Sequence, residues 1–159
     1  DRQRLRALVA GLLDGQRLSI TFRFAPGSAI LDAKARQDIV RLRQLLQNPS
    51  LAGKTIQLIG FTDAVGQPEV NLALSRRRAL QVRAAVLAGV SATGAGKTIV
   101  AKGFGHLAPV ACNESAADLT LNRRVEVWVS DEVPAAQEPA VAVKAGHPAR
   151  ERRFRRRRG

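Results

Sequence analysis

GFTDAVGQPEVNLALSRRRALQV, residues 60–82, is the stretch that decides how this chain folds. It begins at the end of an apolar run, TIQLIGF at 55–61, whose β-branched and aromatic content predicts a strand. A polar loop, TDAVGQ, separates that strand from a helix expected over about 68–88. Pro68 suits the first turn of that helix and Gly89 its end. At roughly 100° per residue, Val70, Leu74, Val82, Ala85 and Val86 form its apolar stripe. Asn71, Ser75 and Arg78 fall inside the same arc. Burying an unpaired guanidinium is expensive, so Arg78 requires either a carboxylate partner or a wet pocket at the end of the sheet. The candidate partner is Asp63, just past the carboxyl end of the strand, where ligands gather in open α/β sheets. Opposite charges on one crevice suit a zwitterion, with its ammonium on Asp63 and its carboxylate on the planar fork of Arg78. On the residues alone, a salt bridge that only ties loop to helix is an equally good reading.

Working outward, residues 18–24 (LSITFRF) alternate apolar and polar and predict a strand, ended by the turn Ala25-Pro26-Gly27-Ser28. Asp32 is placed to cap a helix over 33–47 with apolar positions Ile39, Val40, Leu42, Leu45 and Leu46, stopped by Asn48-Pro49. Residues 97–103 and 123–130 (RRVEVWVS) give two more strands. The order β-α-β-α-β-β predicts an α+β fold, an α/β sandwich with a mixed four-stranded sheet and two main helices on one face. The last strand follows without a full helix and is expected to run antiparallel. Residues 1–17 read as an N-terminal linker with a short amphipathic helix over 3–13, residues 18–130 as the domain, and residues 131–159 as a disordered Pro/Ala linker ending in an Arg-rich tail.

The chain has 159 residues, enough for one ordinary core, and a formal charge of +13. Eight Lys/Arg against four Asp/Glu lie in residues 131–159, so both the domain and the tail are basic. Such a charge favours anionic partners. Aromatics make up only 4%, with no Tyr and one Trp, which leaves few platforms for stacking single-stranded nucleic acid. No apolar run reaches the roughly 18 residues of a membrane span. Asp1 opens the chain with no signal-peptide pattern, as in a mature or excised piece. The single cysteine, Cys112, is read as a small half-buried core residue, and one Cys with two separated His makes no zinc pattern. GAGKT at 94–98 lacks the first glycine of a phosphate loop, since Ser91 stands there, and it precedes a strand instead of following one. No Ser has a His and Asp to work with, so no catalytic residue, metal or cofactor is expected.

The 60–82 segment resembles the signature of OmpA-like domains through Thr62-Asp63, Gly66, Asn71, Leu74-Ser75, Arg78-Ala79 and Val82. FRFAPGSAIL at 22–31, GFG at 103–105 with Pro109, and NRRVEVWV at 122–129 are similar to the flanking strands and loops of that family. The resemblance covers about residues 18–130. It implies non-covalent binding of peptidoglycan, with Asp63 holding the ammonium and Arg78 the carboxylate of diaminopimelate in the stem peptide. It further implies that Asn71 braces the loop and that Thr62, Phe24 and Ala25 line the pocket. The resemblance also implies that Leu74 and Val82 form the pocket floor and that Arg123 fixes the site from the last strand, a plain strand-edge charge being an equally good reading of Arg123. The implied setting is the periplasm of a Gram-negative envelope, with the domain belonging to a larger parent envelope protein and performing no chemistry. The alternative is a polyanion-binding module, for nucleic acid or anionic lipid, driven by net charge and the Arg-rich tail. In the first reading the tail adds only non-specific contact with anionic surfaces and there is no specific nucleic-acid partner.

Overall fold

The computed structural model describes residues 15–89 and 98–131. The N-terminal amphipathic helix, the 94–97 part of the GAGKT stretch and the Arg-rich tail lie outside them. Four strands, β1 (Gln16–Arg23), β2 (Thr55–Gly60), β3 (Thr98–Gly103) and β4 (Arg124–Ser130), form one sheet in the order β1-β4-β2-β3. β2 and β3 are parallel, and β4 runs antiparallel to both β1 and β2. The mixed sheet is therefore as expected, and the returning strand β4 is inserted at its centre.

Two main helices, α1 (Ala33–Leu46) and α2 (Pro68–Ala88), pack on one face. Asp32 caps α1 by accepting from the Ala35 N–H at 2.8 Å. Pro68 occupies the first turn of α2, and Arg43 of α1 donates to the Ala85 and Val86 carbonyls at the far end of α2. Ile20, Phe22, Ile56, Leu58, Val125, Val127 and Val129 meet Ile39, Leu42, Leu46, Ala79, Val82 and Val86 in the main core. Three residues read as part of the apolar stripes are instead exposed: Val40, Leu45 and Val70. The buried stripe of α1 is narrower than its apolar content, and Val70 lies in the first turn of α2.

The seam between α2 and the sheet is very close. A Cβ on Gly60 would stand 1.8 Å from the Ser75 carbonyl oxygen, and one on Gly103 would stand 2.4 Å from the Arg76 nitrogen. On the opposite face Ile59, Phe61 and Ala108 form a second cluster with Phe104 and Trp128. The chain between β3 and β4 covers it. That connection carries a short helix absent from the sequence reading, α3 (Ala116–Asn122), opened by a reciprocal cap between Ser115 and Asp118. Cys112 lies in the same connection and is exposed, contrary to the core position expected of it.

Candidate functional site

The loops after β1 and β2 meet the start of α2 and the residues leading into β4 at the carboxyl end of the parallel strands. Asp63 follows β2 and is 8% exposed. Its Oδ1 accepts from the Val65 N–H at 3.0 Å, which closes the loop on itself. Its Oδ2 accepts from Arg123 Nη1 at 3.1 Å in a buried ion pair. Arg123 also donates Nε to the Phe24 carbonyl and Nη2 to Thr120 Oγ1, so one guanidinium ties the β1 end, the β2 loop and α3 together.

Of the two readings open for Asp63 and Arg78, the direct salt bridge is not formed. Arg78 is fully buried. Its Nε donates to the Ser28 carbonyl at 2.8 Å, its Nη1 to Phe61 at 3.1 Å and its Nη2 to Ala25 at 3.1 Å. Its guanidinium carbon stands 5.3 Å from the Phe24 ring centroid. Convergent carbonyl dipoles and an aromatic face satisfy the cation where a carboxylate had been expected. Asp63 still acts on Arg78 through space. Burial lowers the Arg78 pKa to about 10, the Asp63 charge opposes the shift and the Arg123 charge reinforces it. Arg78 therefore stays charged at neutral pH.

The remaining residues of the expected site divide into two groups. Asn71 is buried and its amide donates to the carbonyls of Val65 (3.0 Å) and Asp63 (3.4 Å), holding the loop against α2. Thr62 is buried, with its N–H on the Gly105 carbonyl and its hydroxyl without a hydrogen-bond partner among the described residues. Phe24 flanks Arg78, while Ala25 is exposed and contributes its carbonyl. Leu74 is half-buried. Val82 is fully buried among the main core residues, which places it with the core and not on an open pocket floor.

Two features of this region were not read from the sequence. Asn122 is fully buried. Its Oδ1 accepts from the Val110 and Ala111 N–H groups, and its Nδ2 donates to the Ala111 carbonyl and to Asn113 Oδ1. Asn113, at φ +66°, passes this order on by accepting from the Ala64 N–H next to Asp63. Arg124 points to the other face of the sheet, pairs with Glu126 at 2.8 Å and sits 4.0 Å over the Phe61 ring. Burial lowers its pKa and Glu126 opposes that. The start of NRR, Asn122, was the available signal for the first feature, and strand alternation was the signal for the second. Among the described residues no group of three His, Cys, Asp or Glu could hold a metal ion, and no helix is long and apolar enough to cross a membrane.

The OmpA family model matches residues 23–123. Outer membrane protein A of Bordetella avium is 35% identical over 93 residues, which cover 55% of this chain and 46% of that protein. Outer membrane porin F of Pseudomonas aeruginosa is 30% identical over 116 residues, covering 73% of this chain and 32% of the porin. This chain therefore spans less than half the length of either relative. Among solved structures, the peptidoglycan-associated lipoprotein of Burkholderia pseudomallei superposes with a TM-score of 0.59 at 28% identity, over 72% of this chain and 91% of the lipoprotein.

Proposed function

Since this chain belongs to the OmpA family, we propose that it binds peptidoglycan non-covalently through the diaminopimelate of the stem peptide. In this way it anchors a larger envelope protein to the cell wall from the periplasm. The observation that carries the reading is a charge imbalance. Among the described residues, two desolvated guanidinium groups face one carboxylate, Asp63, which pairs with Arg123 and acts on Arg78 through space. The excess of positive charge favours a ligand carboxylate, and the anion beside it favours an ammonium on the same ligand. The side chain of Asp63 keeps 12% of its surface open, and this is the edge offered to the ammonium. Arg78 has three donors in use and retains one N–H on each terminal nitrogen. The ligand carboxylate reaches this fork through those two N–H groups, on the side of the exposed residue Ala25. A guanidinium–carboxylate contact, with both partners ionised, is the strong and geometrically specific form of such a bond. Binding alone accounts for this arrangement, and no nucleophile or general base is needed.

The test is a calorimetric titration with L-Ala-γ-D-Glu-diaminopimelate, using wild type and Asp63→Asn at two salt concentrations. Saturable wild-type binding that depends weakly on salt and is lost in the folded variant is the expected result. Equal binding by both proteins that collapses as salt rises would replace the clamp with non-specific polyanion binding.

A further inference from the structure

A groove of about 510 Å³ lies directly beside this site, between the Gly27–Leu31 loop and the side chains of Arg77 and Gln81. It shares a wall with the Arg78 pocket, because Ser28 lines the groove and gives its carbonyl to Arg78 Nε at 2.8 Å. That wall is already fixed. The Ser28 N–H donates to the Ala25 carbonyl, the Ile30 N–H donates to Ser28 Oγ, and Arg36 of α1 holds the Leu31 carbonyl from behind. Arg77 and Gln81 stand one helical turn apart on the same face of α2. Arg77 differs from its neighbours Arg78 and Arg83, which are both committed to backbone carbonyls. Among the described residues Arg77 has no ion pair and no hydrogen bond. A preformed groove with an uncommitted guanidinium at one side and a carboxamide one turn away is suited to a carboxylate.

We infer that this groove is an anion subsite in which Arg77, assisted by Gln81, takes a second carboxylate of the stem peptide. The inference rests on the stem-peptide reading of the Asp63 site and extends it. A diaminopimelate-type stem peptide offers two such groups on either side of the diaminopimelate: the α-carboxylate of the γ-linked D-Glu, and the terminal carboxylate of D-Ala. Both present the same chemistry to a guanidinium. The subsite makes the protein sensitive to amidation of the wall peptide, a modification that removes one charge and leaves the diaminopimelate intact.

Calorimetry of the intact chain with the tetrapeptide L-Ala-γ-D-Glu-diaminopimelate-D-Ala, and with two analogues amidated at either carboxylate, tests this. For wild type, amidation of one of the two groups should weaken binding roughly five- to tenfold, as expected for a charge-assisted contact at an open site. Arg77→Gln should weaken binding of the unmodified peptide by the same factor and lose all sensitivity to that amidation. The analogue affected identifies which carboxylate occupies the groove. The melting temperature of Arg77→Gln should equal that of wild type, since its side chain holds nothing in place. If Arg77→Gln binds as wild type does while Asp63→Asn fails to bind, the groove is not a subsite and the Asp63 reading stands. If wild type shows the same losses on amidation as Arg77→Gln, the subsite is likewise overturned. If wild type does not titrate at all, both readings fall together.

Discussion

Asp63→Asn should destabilise the unliganded domain, and replacing Arg123 at the same time should add little to that cost. The substitution keeps volume and shape but removes the carboxylate that, among the described residues, acts on both Arg78 and Arg123. Breaking a buried pair by neutralising one partner costs about 3–5 kcal/mol. Arg123 retains the Phe24 carbonyl and Thr120 Oγ1, and Arg78 retains all three of its carbonyls. These remaining bonds reduce the expected loss to about 2–3 kcal/mol. Arg123→Met should cost a similar amount, because it orphans Asp63 apart from the Val65 N–H and the more distant charge of Arg78. The double variant leaves neither charge without its partner, so its loss should fall about 2 kcal/mol short of the sum of the two single losses. Urea unfolding of the four proteins, with the slope checked for constancy, measures this directly. Losses that add to within about 0.5 kcal/mol would refute the coupling. They would mean that Arg123 is a strand-end charge and that backbone carbonyls alone satisfy both guanidinium groups.

Two further substitutions probe how the scaffold holds the site. Gly60→Ala should cost about 3 kcal/mol in thermal or urea unfolding, because its Cβ would meet the Ser75 backbone oxygen and α2 would have to lift off β2; a loss under about 0.5 kcal/mol would show that the helix is not seated on this glycine. Asn122→Leu should cost about 2–3 kcal/mol, because two loop N–H groups lose their acceptor inside the protein. It should also speed amide hydrogen exchange at Val110 and Ala111 by about tenfold or more. Unchanged exchange there would mean that another contact orders the loop.

The elements whose boundaries the sequence reveals are those punctuated by residues with fixed backbone preferences. Pro68 and Gly89 bracket α2, and Asp32 and Asn48-Pro49 bracket α1. Their bulk alternates with the right period, so fold class follows. α3 is too short to show a period, although Ser115 and Asp118, three apart, carry a legible capping pattern. The site is a different problem. The helical spacing of α2 places Arg78 on the inward face, but its partners are the carbonyls of Ser28, Phe61 and Ala25, and every residue has a carbonyl. Side-chain identity therefore could not reveal them, and Asp63, just past the carboxyl end of β2, was the carboxylate whose position suggested a partner. The true partner of Asp63 comes from 60 residues away and depends on register. Arg123 and Arg124 are adjacent, yet the first faces Asp63 while the second faces Glu126 and Phe61 on the other side of the sheet. Successive residues entering a strand point to opposite faces, so a one-residue slip of β4 against β2 would exchange the two arginines. The charge balance of the pocket is thus set by the antiparallel pairing of Gly60 with Val125, and not by the presence of two arginines in the motif.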